Sequence, residues 1–278
     1  GMRDHTEVAP VAAVPADARV PAAMNSSVRL PVTGVVIALN EADRIGRCIA
    51  SLLQVCTRVV VLDSGSSDDT AAVARAAGAE VLHQDWLGFA GQKNAAIAQA
   101  RTDWVLLLDA DEWFEPDALA QLDAFLRSDR IAAADAWELP RRTIFLGRPL
   151  RHGGWGREWL PRLFRSELRY RPDTVHERLD LDGRRSDSLD VRFEHVPVRD
   201  LDEHYRKLAR YAALWAEGRA ALGKRAGFLD LYTHPLFYLL KNYLLRGGFL
   251  DGREGAVFHL AYAGYTHAKY ARLWARSR

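Results

Sequence analysis

The sequence predicts an α/β chain built on a mostly parallel sheet, with a helical C-terminal extension. Three observations carry this. Short apolar runs of strand composition recur through the first half, and each stops abruptly at a polar cluster. Helical patterns separate these runs, and strand alternating with helix argues for a parallel sheet covered on both faces. From Leu201 onward the pattern becomes helical throughout.

The first run is Gly34-Val35-Val36-Ile37-Ala38-Leu39, ending at Asn40-Glu41. Ile45, Ile49 and Leu52 then share one helical face. The second run, Arg58-Val59-Val60-Val61-Leu62, ends at Asp63-Ser64-Gly65-Ser66-Ser67-Asp68, and Ala71, Ala74 and Arg75 predict a short helix after it. Ser66 and Asp69 have the spacing of a capping box for that helix. The third run, Ala79-Glu80-Val81-Leu82-His83, leads to Gln84-Asp85-Trp86, and residues 92–100 are rich in helix formers. The fourth, Trp104-Val105-Leu106-Leu107-Leu108, ends at Asp109-Ala110-Asp111-Glu112. Ligands of open parallel sheets bind at the carboxyl ends of the strands. The predicted site is therefore one crevice lined by Asn40, Glu41, Asp63, Asp85, Asp109 and Asp111.

The Asp109/Asp111 pair is the most informative feature. On extended backbone two carboxylates at i and i+2 point the same way, roughly 7 Å apart. Their repulsion is unfavourable unless a cation or hydroxyl groups are shared. Mg²⁺ and Mn²⁺ are commonly held by one or two carboxylates plus substrate phosphates, and a bound cation would locally reverse the sign of the crevice. The pair suggests a metal-bridged nucleotide or a carboxylate-lined sugar site. No G-x-G-x-x-G follows the first strand and no G-x-x-x-x-G-K-[ST] occurs, which argues against a dinucleotide-binding dehydrogenase and a P-loop NTPase. No G-x-S-x-G nucleophile elbow is present.

Taken together, Val35-Val36-Ile37-Ala38-Leu39-Asn40-Glu41, Val61-Leu62-Asp63-Ser64-Gly65-Ser66-Ser67-Asp68-Asp69-Thr70, Gln92-Lys93-Asn94-Ala95-Ala96 and Leu107-Leu108-Asp109-Ala110-Asp111-Glu112 resemble the inverting family 2 glycosyltransferases of GT-A fold, in order and spacing, over roughly residues 33–115. Val175-His176-Glu177 and Gly248-Phe249-Leu250-Asp251-Gly252 look like the bacterial branch that adds β-linked glucose to heptose of the lipopolysaccharide inner core. The resemblance implies that Asn40 and Glu41 border the nucleotide base, that Asp63 accepts a hydrogen bond from uracil, and that Lys93 and Asn94 approach the nucleotide or its diphosphate. It implies that Asp109 contacts ribose or the metal, and that Asp111 is the principal metal ligand of a Mg²⁺ or Mn²⁺ cofactor. The family commonly has two adjacent acids after the second strand; here the second is Ser64. Simpler roles compete: Lys93 as an exposed helix lysine, and Glu41 as a favourable charge at a helix N-terminus.

The charge of +2 conceals a strong asymmetry. Residues 1–140 hold 11 Lys/Arg against 20 Asp/Glu, a balance of −9, whereas residues 141–171 hold 9 Arg against 2 Glu and residues 199–278 hold 14 Lys/Arg against 7 Asp/Glu, each +7. The basic parts invite an anionic partner. No zinc-finger, RNP-type or basic-zipper pattern is present, so nucleic acid is not expected; anionic lipid or a phosphorylated saccharide fits the resemblance. The two cysteines, Cys48 and Cys56, suggest neither a disulfide framework nor a thiolate site, and fit a reducing cytoplasm.

After the strand Ala136-Trp137-Glu138-Leu139-Pro140, residues 141–159 interleave glycine, tryptophan and arginine. Indole faces pack against pyranose C–H groups and guanidinium forks clamp phosphate, so Arg151, Trp155 and Arg157 are candidate acceptor ligands. The competing reading is a hairpin whose tryptophans fill the core. Pro161 to Arg165 reads as another strand. Inverting transfer needs a base for the acceptor hydroxyl; Glu177 is the first candidate, with His176 as base or metal ligand and Asp173 and Glu158 as competitors. In the extension, Tyr205, Leu208, Tyr211, Ala212 and Trp215 predict a stripe. Leu236 to Arg246 is too short and interrupted to span a bilayer, and it suits either an interfacial helix or one packed on the domain.

The expectation is thus a flexible tail over 1–30, a GT-A domain over 31–198 and a basic aromatic helical extension over 199–278. The enzyme would transfer a hexose, glucose from UDP-glucose by the narrower resemblance, to an inner-core lipopolysaccharide heptose, working in the cytoplasm and peripheral to the inner membrane. A sugar nucleotidyltransferase is the competing enzyme class, though Asn40-Glu41-Ala42-Asp43-Arg44 is a poor triphosphate loop. A non-catalytic sugar- or membrane-surface-binding protein is the competing non-enzyme.

Overall fold

The computed structural model describes residues 28–171 and 178–277. Four parallel strands form one half of a mixed sheet: β1 (Val32–Ala38), β2 (Arg58–Asp63), β3 (Glu80–His83) and β4 (Trp104–Asp109). They are joined by α1 (Ile45–Leu53), α2 (Thr70–Ala76) and α3 (Gly88–Ile97). Consecutive strand residues point to opposite faces, and here both faces are covered. Val36, Val61, Leu106 and Leu108 join Ile45, Ile49 and Leu52 in one cluster, while Val35, Leu62, Val105 and Leu107 join Ala96 and Ile97 in another. This is why the runs read as continuously apolar.

Beyond β4 the chain turns through Ala110 and Asp111 into β5 (Glu112–Trp113), then α4 (Pro116–Leu126) and a 3₁₀ turn at Asp129–Ala133. β6 (Ala136–Phe145) and β8 (Glu158–Arg165) flank a two-residue β7 (Arg148–Pro149), and β9 (Ser186–Ser188) and β10 (Phe193–His195) complete the sheet. The order is β3-β2-β1-β4-β8-β6-β10-β5, with β7 and β9 both on β6. β8 runs antiparallel to β4 and β6. Because the two-residue turn ties β5 to the end of β4, the far end of the sheet must curl back to that strand end. The curl gathers β4, β8, β10 and β5 around one point.

The extension is helical as predicted: α5 (Leu201–Ala221), α6 (Asp230–Tyr238) running into a π-helical stretch at Leu239–Leu245, a 3₁₀ turn at Gly248–Asp251, and α7 (Gly252–Arg276). Pro235 lies inside α6 and cannot donate to the carbonyl of Leu231. His267 of α7 lies 2.9 Å from that oxygen through Nδ1 and satisfies it. The inward face of α5 is His204, Leu208, Ala212 and Ala216. The predicted stripe is therefore partly misplaced: Tyr205 and Tyr211 are exposed, because His204 takes the core position among Phe145, Phe258 and Tyr262. Phe145, Leu150, Val198 and Phe258 form one buried cluster, so the extension shares a core with the β6–β8 region. Among the described residues no helix is long and apolar enough to cross a membrane.

The cap predicted from Ser66 and Asp69 is not formed; Asp68 accepts from the Thr70 amide at 3.0 Å instead. Both cysteines are free and buried, and burial pushes the Cys56 thiol up to about 12.

Candidate active site

The carboxylates at the strand ends do not behave alike. Asp109 ends β4, but Asp111 lies in the turn, so the extended i, i+2 geometry expected for the pair does not occur. Arg162 of β8 approaches Asp109 Oδ2 at 3.2 Å, and Lys93 of α3 approaches its Oδ1 at 3.7 Å. Burial acts to raise the Asp109 carboxyl, but Lys93, Arg162 and His195 outweigh it and hold it well below the usual carboxylate range. Repulsion at this carboxylate is thus already relieved by protein cations. Lys93 is buried and also lies 5.3 Å from the centre of the Tyr170 ring, which excludes the exposed-lysine reading.

Glu112 is fully buried beneath the pair. Its Oε1 lies 2.6 Å from Arg162 Nη2, and its Oε2 accepts from the Asp109 amide at 3.0 Å. Burial raises its carboxyl, opposed by Arg162. Glu112 therefore fixes Arg162 and the end of β4 together. Sequence reasoning missed both Glu112 and Arg162 as site members, because Glu112 reads only as part of the polar cluster that ends the fourth run and an arginine distant along the chain gives no local pattern.

Asp111 faces His195 of β10, with Nε2 to Oδ2 at 3.5 Å. Burial works to raise the Asp111 carboxyl, and the hydrogen bond and charge of His195 bring it below its ordinary value. The Val196 amide donates to the Asp111 carbonyl at 3.1 Å and fixes the turn beside this histidine. Both side chains keep a small exposed fraction, 15% for Asp111 and 14% for His195. They present one oxygen and one nitrogen side by side, a donor set suited to a divalent ion whose remaining ligands come from substrate. Among the described residues no group of three or more His, Cys, Asp or Glu side chains is placed to hold a metal. His195 was also missed from sequence, since only the curl of the sheet brings it to Asp111.

The remaining predicted residues divide by what already occupies them. Asn40, at φ 56°, accepts from the Ser67 amide at 2.8 Å, while its own amide donates to Ser66 Oγ at 2.9 Å. It locks the β1 and β2 loops together. Glu41 pairs with Arg44 at 2.6 Å and Arg199 at 3.3 Å; burial nevertheless raises its carboxyl, aided by Asp111. Asp63 accepts from the amides of Gly65 and Ser66 at 3.0 and 2.9 Å and from the Ser66 hydroxyl, so its carboxylate turns onto its own loop. Asn94 uses both ends of its amide on the backbone of Tyr170, at 2.9 and 2.7 Å, which fixes the segment rather than leaving the amide free for a ligand. Asp85 is nearly fully exposed beside His83 and lines no buried part of the crevice. His176 and Glu177, with Asp173, lie outside the described residues.

On the second flank, the indole of Trp155 packs on Phe258 and Tyr262, each at 4.9 Å between ring centres. It also lines, with Gly154, Arg157 and Glu158, a cavity of about 320 Å³. Trp155 thus packs against the core and also edges an open cavity. Arg141 joins the flanks: its Nη1 lies 3.8 Å from Glu112, and its Nη2 donates to Glu158.

The sequence model of glycosyl transferase family 2 matches residues 33–180. A lipopolysaccharide core biosynthesis glycosyltransferase, LpsC, of Rhizobium meliloti is 30% identical over 263 residues, covering 87% of this chain and 94% of the relative. An uncharacterized glycosyltransferase of Rickettsia conorii is 26% identical, covering 90% and 91%. Among solved structures, mannosyl-3-phosphoglycerate synthase from Rubrobacter xylanophilus is 27% identical with a TM-score of 0.35, covering 41% of each chain. Glucosyl-3-phosphoglycerate synthase from Mycobacterium tuberculosis, solved with Mn²⁺, UDP and glucosyl-3-phosphoglycerate, is 24% identical with a TM-score of 0.36, covering 42% and 46%. With its mostly parallel curled sheet of GT-A type and its acidic strand ends, the chain belongs to glycosyl transferase family 2 and is a glycosyltransferase.

Proposed function

We propose that the protein transfers a hexose, glucose from UDP-glucose, with inversion to a heptose of the lipopolysaccharide inner core. The observation that carries the donor side is the Asp111–His195 pair beside an Asp109 already neutralised by Lys93 and Arg162. This charge distribution favours Asp111 with His195 as the holders of Mg²⁺ or Mn²⁺, rather than Asp109 with Asp111. The ion, when bound, would offset the charge of the departing diphosphate. Asp109, held ionised, is suited to accept from ribose hydroxyls. Lys93 and Arg162 keep the crevice from repelling the donor. The acceptor class rests on the likeness to LpsC, a lipopolysaccharide core enzyme by name.

The proposed chemistry is a single displacement. The acceptor oxygen attacks the anomeric carbon, the bond to the diphosphate oxygen breaks, and a base takes the hydroxyl proton. Glu177, assisted by His176, is proposed for that base. Glu177→Gln is expected to keep donor binding and lose transfer by about 10²–10⁴-fold; near-normal kcat would move the role to Asp173, Glu158 or His176.

A lipid-linked acceptor requires work at a membrane surface, and the extension suits peripheral binding there. Leu229, Tyr232, Leu236, Phe237, Leu240 and Leu244 are all exposed along α6 and the π-helical stretch, with Lys241 and Arg246 beside them. Exposed apolar side chains with adjacent cations favour an anionic interface. Tyr238 and Tyr243, by contrast, pack on His259, and Trp274 on Phe228. Binding to anionic vesicles that weakens in high salt would support this; no binding would leave the basic surface to the acceptor alone.

A panel of nucleotide sugars incubated with Mn²⁺ or Mg²⁺ and a heptose-terminated core acceptor tests the whole reading. Release of UDP from UDP-glucose only when acceptor and metal are present is the expected result. Release from another donor, or none from any, overturns the donor assignment.

A further inference from the structure

The glycine-rich loop after β7 meets the end of the π-helical stretch, and the meeting is built rather than incidental. Asp251, 2% exposed, accepts from the amides of Arg151 and His152 at 3.1 and 3.0 Å, and pairs with His152 Nδ1 at 2.8 Å. The Gly153 amide donates to the Arg246 carbonyl at 3.0 Å. A Cβ on Gly153 would meet the buried His259 ring at 2.2 Å, and one on Gly154 would meet Arg246 Nη1 at 2.9 Å. Both glycines have left-handed backbone, φ 69° and 87°. Only glycine lets the loop lie this close to the helical extension.

The result is an open cleft of about 560 Å³ rimmed by Arg151, Arg157 and Arg246. Among the described residues Arg151 has no ion-pair partner, and Arg246 meets only the neutral Asn242 amide, at 3.3 Å. Of the three, Arg157 alone has a carboxylate partner among the described residues, the exposed Asp190. The other nearby acids are committed, Asp251 to the loop backbone and Glu158 to Arg141. Three arginines lining one cleft, with the exposed Asp190 as the carboxylate paired to them, suit a doubly charged tetrahedral anion, which guanidiniums bind through paired N–H donors. The adjoining cavity, lined by Trp155, has room for a pyranose next to that anion. Arg141 connects this flank to Glu112 beneath the donor crevice, so the two sites share one wall.

We propose that this cleft binds a phosphomonoester carried by the saccharide acceptor, and that Asp251 is the positioning residue that holds the loop in its binding shape. The word acceptor rests on the glycosyl-transfer reading; the anion site stands on the arginines alone.

Calorimetric titration at low ionic strength with glucose 6-phosphate, inorganic phosphate and glucose tests it. Both phosphates bind and glucose does not. Arg151→Gln and Arg246→Gln each lower phosphate affinity about tenfold, while Arg75→Gln, an exposed arginine of α2, changes nothing. Thermal unfolding checks that each variant is folded. UDP with Mn²⁺ does not compete. Unchanged affinity in both arginine variants, absence of phosphate binding, or competition by UDP with Mn²⁺ overturns the proposal. A response to phosphatidic acid vesicles with none to soluble phosphates moves the anion to a lipid headgroup and overturns the saccharide assignment. Loss of UDP binding with intact phosphate binding sinks the donor reading and leaves this site standing.

Discussion

The two flanks of the site hold their charges in opposite ways. On the carboxylate flank, Asp109, Glu112, Arg162 and Lys93 are packed against one another, and each ion is satisfied mainly by protein. On the arginine flank, Arg151 at the glycine loop and Arg246 at the end of the π-helical stretch have their charge turned to solvent. Removing water from a charge is costly, and removing one member of a buried pair leaves the other unpaired. The first flank is therefore rigid and unforgiving. The second is held by the Asp251 carboxylate on the loop backbone, while Arg246 meets only the Asn242 amide among the described residues, so loss of Arg151 or Arg246 should leave the fold intact. On the proposed assignment, a preorganised carboxylate flank would serve the donor and the more open arginine flank the acceptor.

The largest expected effect breaks the comparison at its chemical end. Asp111→Ala removes the carboxylate beside His195 and should abolish the metal enhancement of UDP binding, with transfer falling by about 10³-fold. The fold should stay intact, since Asp111 lies in a turn and its side chain keeps 15% exposure. Titration of UDP with and without Mn²⁺ reads this, and unchanged metal enhancement would return the ligand role to Asp109. The next effect sharpens the contrast through stability. Glu112→Gln strips the buried partner of Arg162 and should cost about 3–5 kcal/mol in denaturant unfolding, whereas Arg246→Gln should lie within about 0.5 kcal/mol of wild type. Equal costs would mean that the flanks are not differently held.

How much of this was legible in the sequence follows the same division. β1 to β4 and their helices could be read because each is specified locally, by an apolar run and the polar cluster that ends it. Asp109 and Asp111 could be read for the same reason. The partners that decide their chemistry could not: Arg162 and His195 reach them only because the sheet curls, and nothing near either residue announces that. Asp63 and Asn94 show a further effect that sequence does not reveal: backbone amides already bond the Asp63 carboxylate, and the Tyr170 backbone engages both ends of the Asn94 amide. In the extension the helical period was plain, yet the inward register was taken from the tyrosines. His204 and His259 give no core signal in the sequence, yet each imidazole packs among aromatic rings.

Asp251 lies between these extremes. It is buried like the first flank but holds only backbone and one histidine. Asp251→Ala should cost about 1–3 kcal/mol, the range for leaving buried donors without an acceptor, and should weaken phosphate binding without altering UDP binding. An equal loss of both would show that the loop supports the donor side as well.

The smallest effect comes from the core the flanks share. Burial lowers the pKa of His204 and of His259 below the ordinary value of 6.5. His204 sits among aromatic rings, and His259 has the Tyr238 hydroxyl at 3.1 Å from Nδ1. Neither ring has a buried carboxylate bonded to it. Both are therefore neutral in the folded protein at neutral pH. In the unfolded chain they take up protons once the pH falls below about 6.5, so the unfolded state binds more protons in that window. Stability from this source is complete above that pH and is lost as pH falls toward the folded values. With at most one proton per histidine, the combined slope cannot exceed about 2.7 kcal/mol per pH unit. His204→Phe keeps the ring contacts and removes one of the two protons, so unfolding curves between pH 7 and 5 should become flatter than wild type. A slope unchanged by this substitution would show that the acid sensitivity belongs to the carboxylate flank and not to the aromatic core that joins the extension to the sheet.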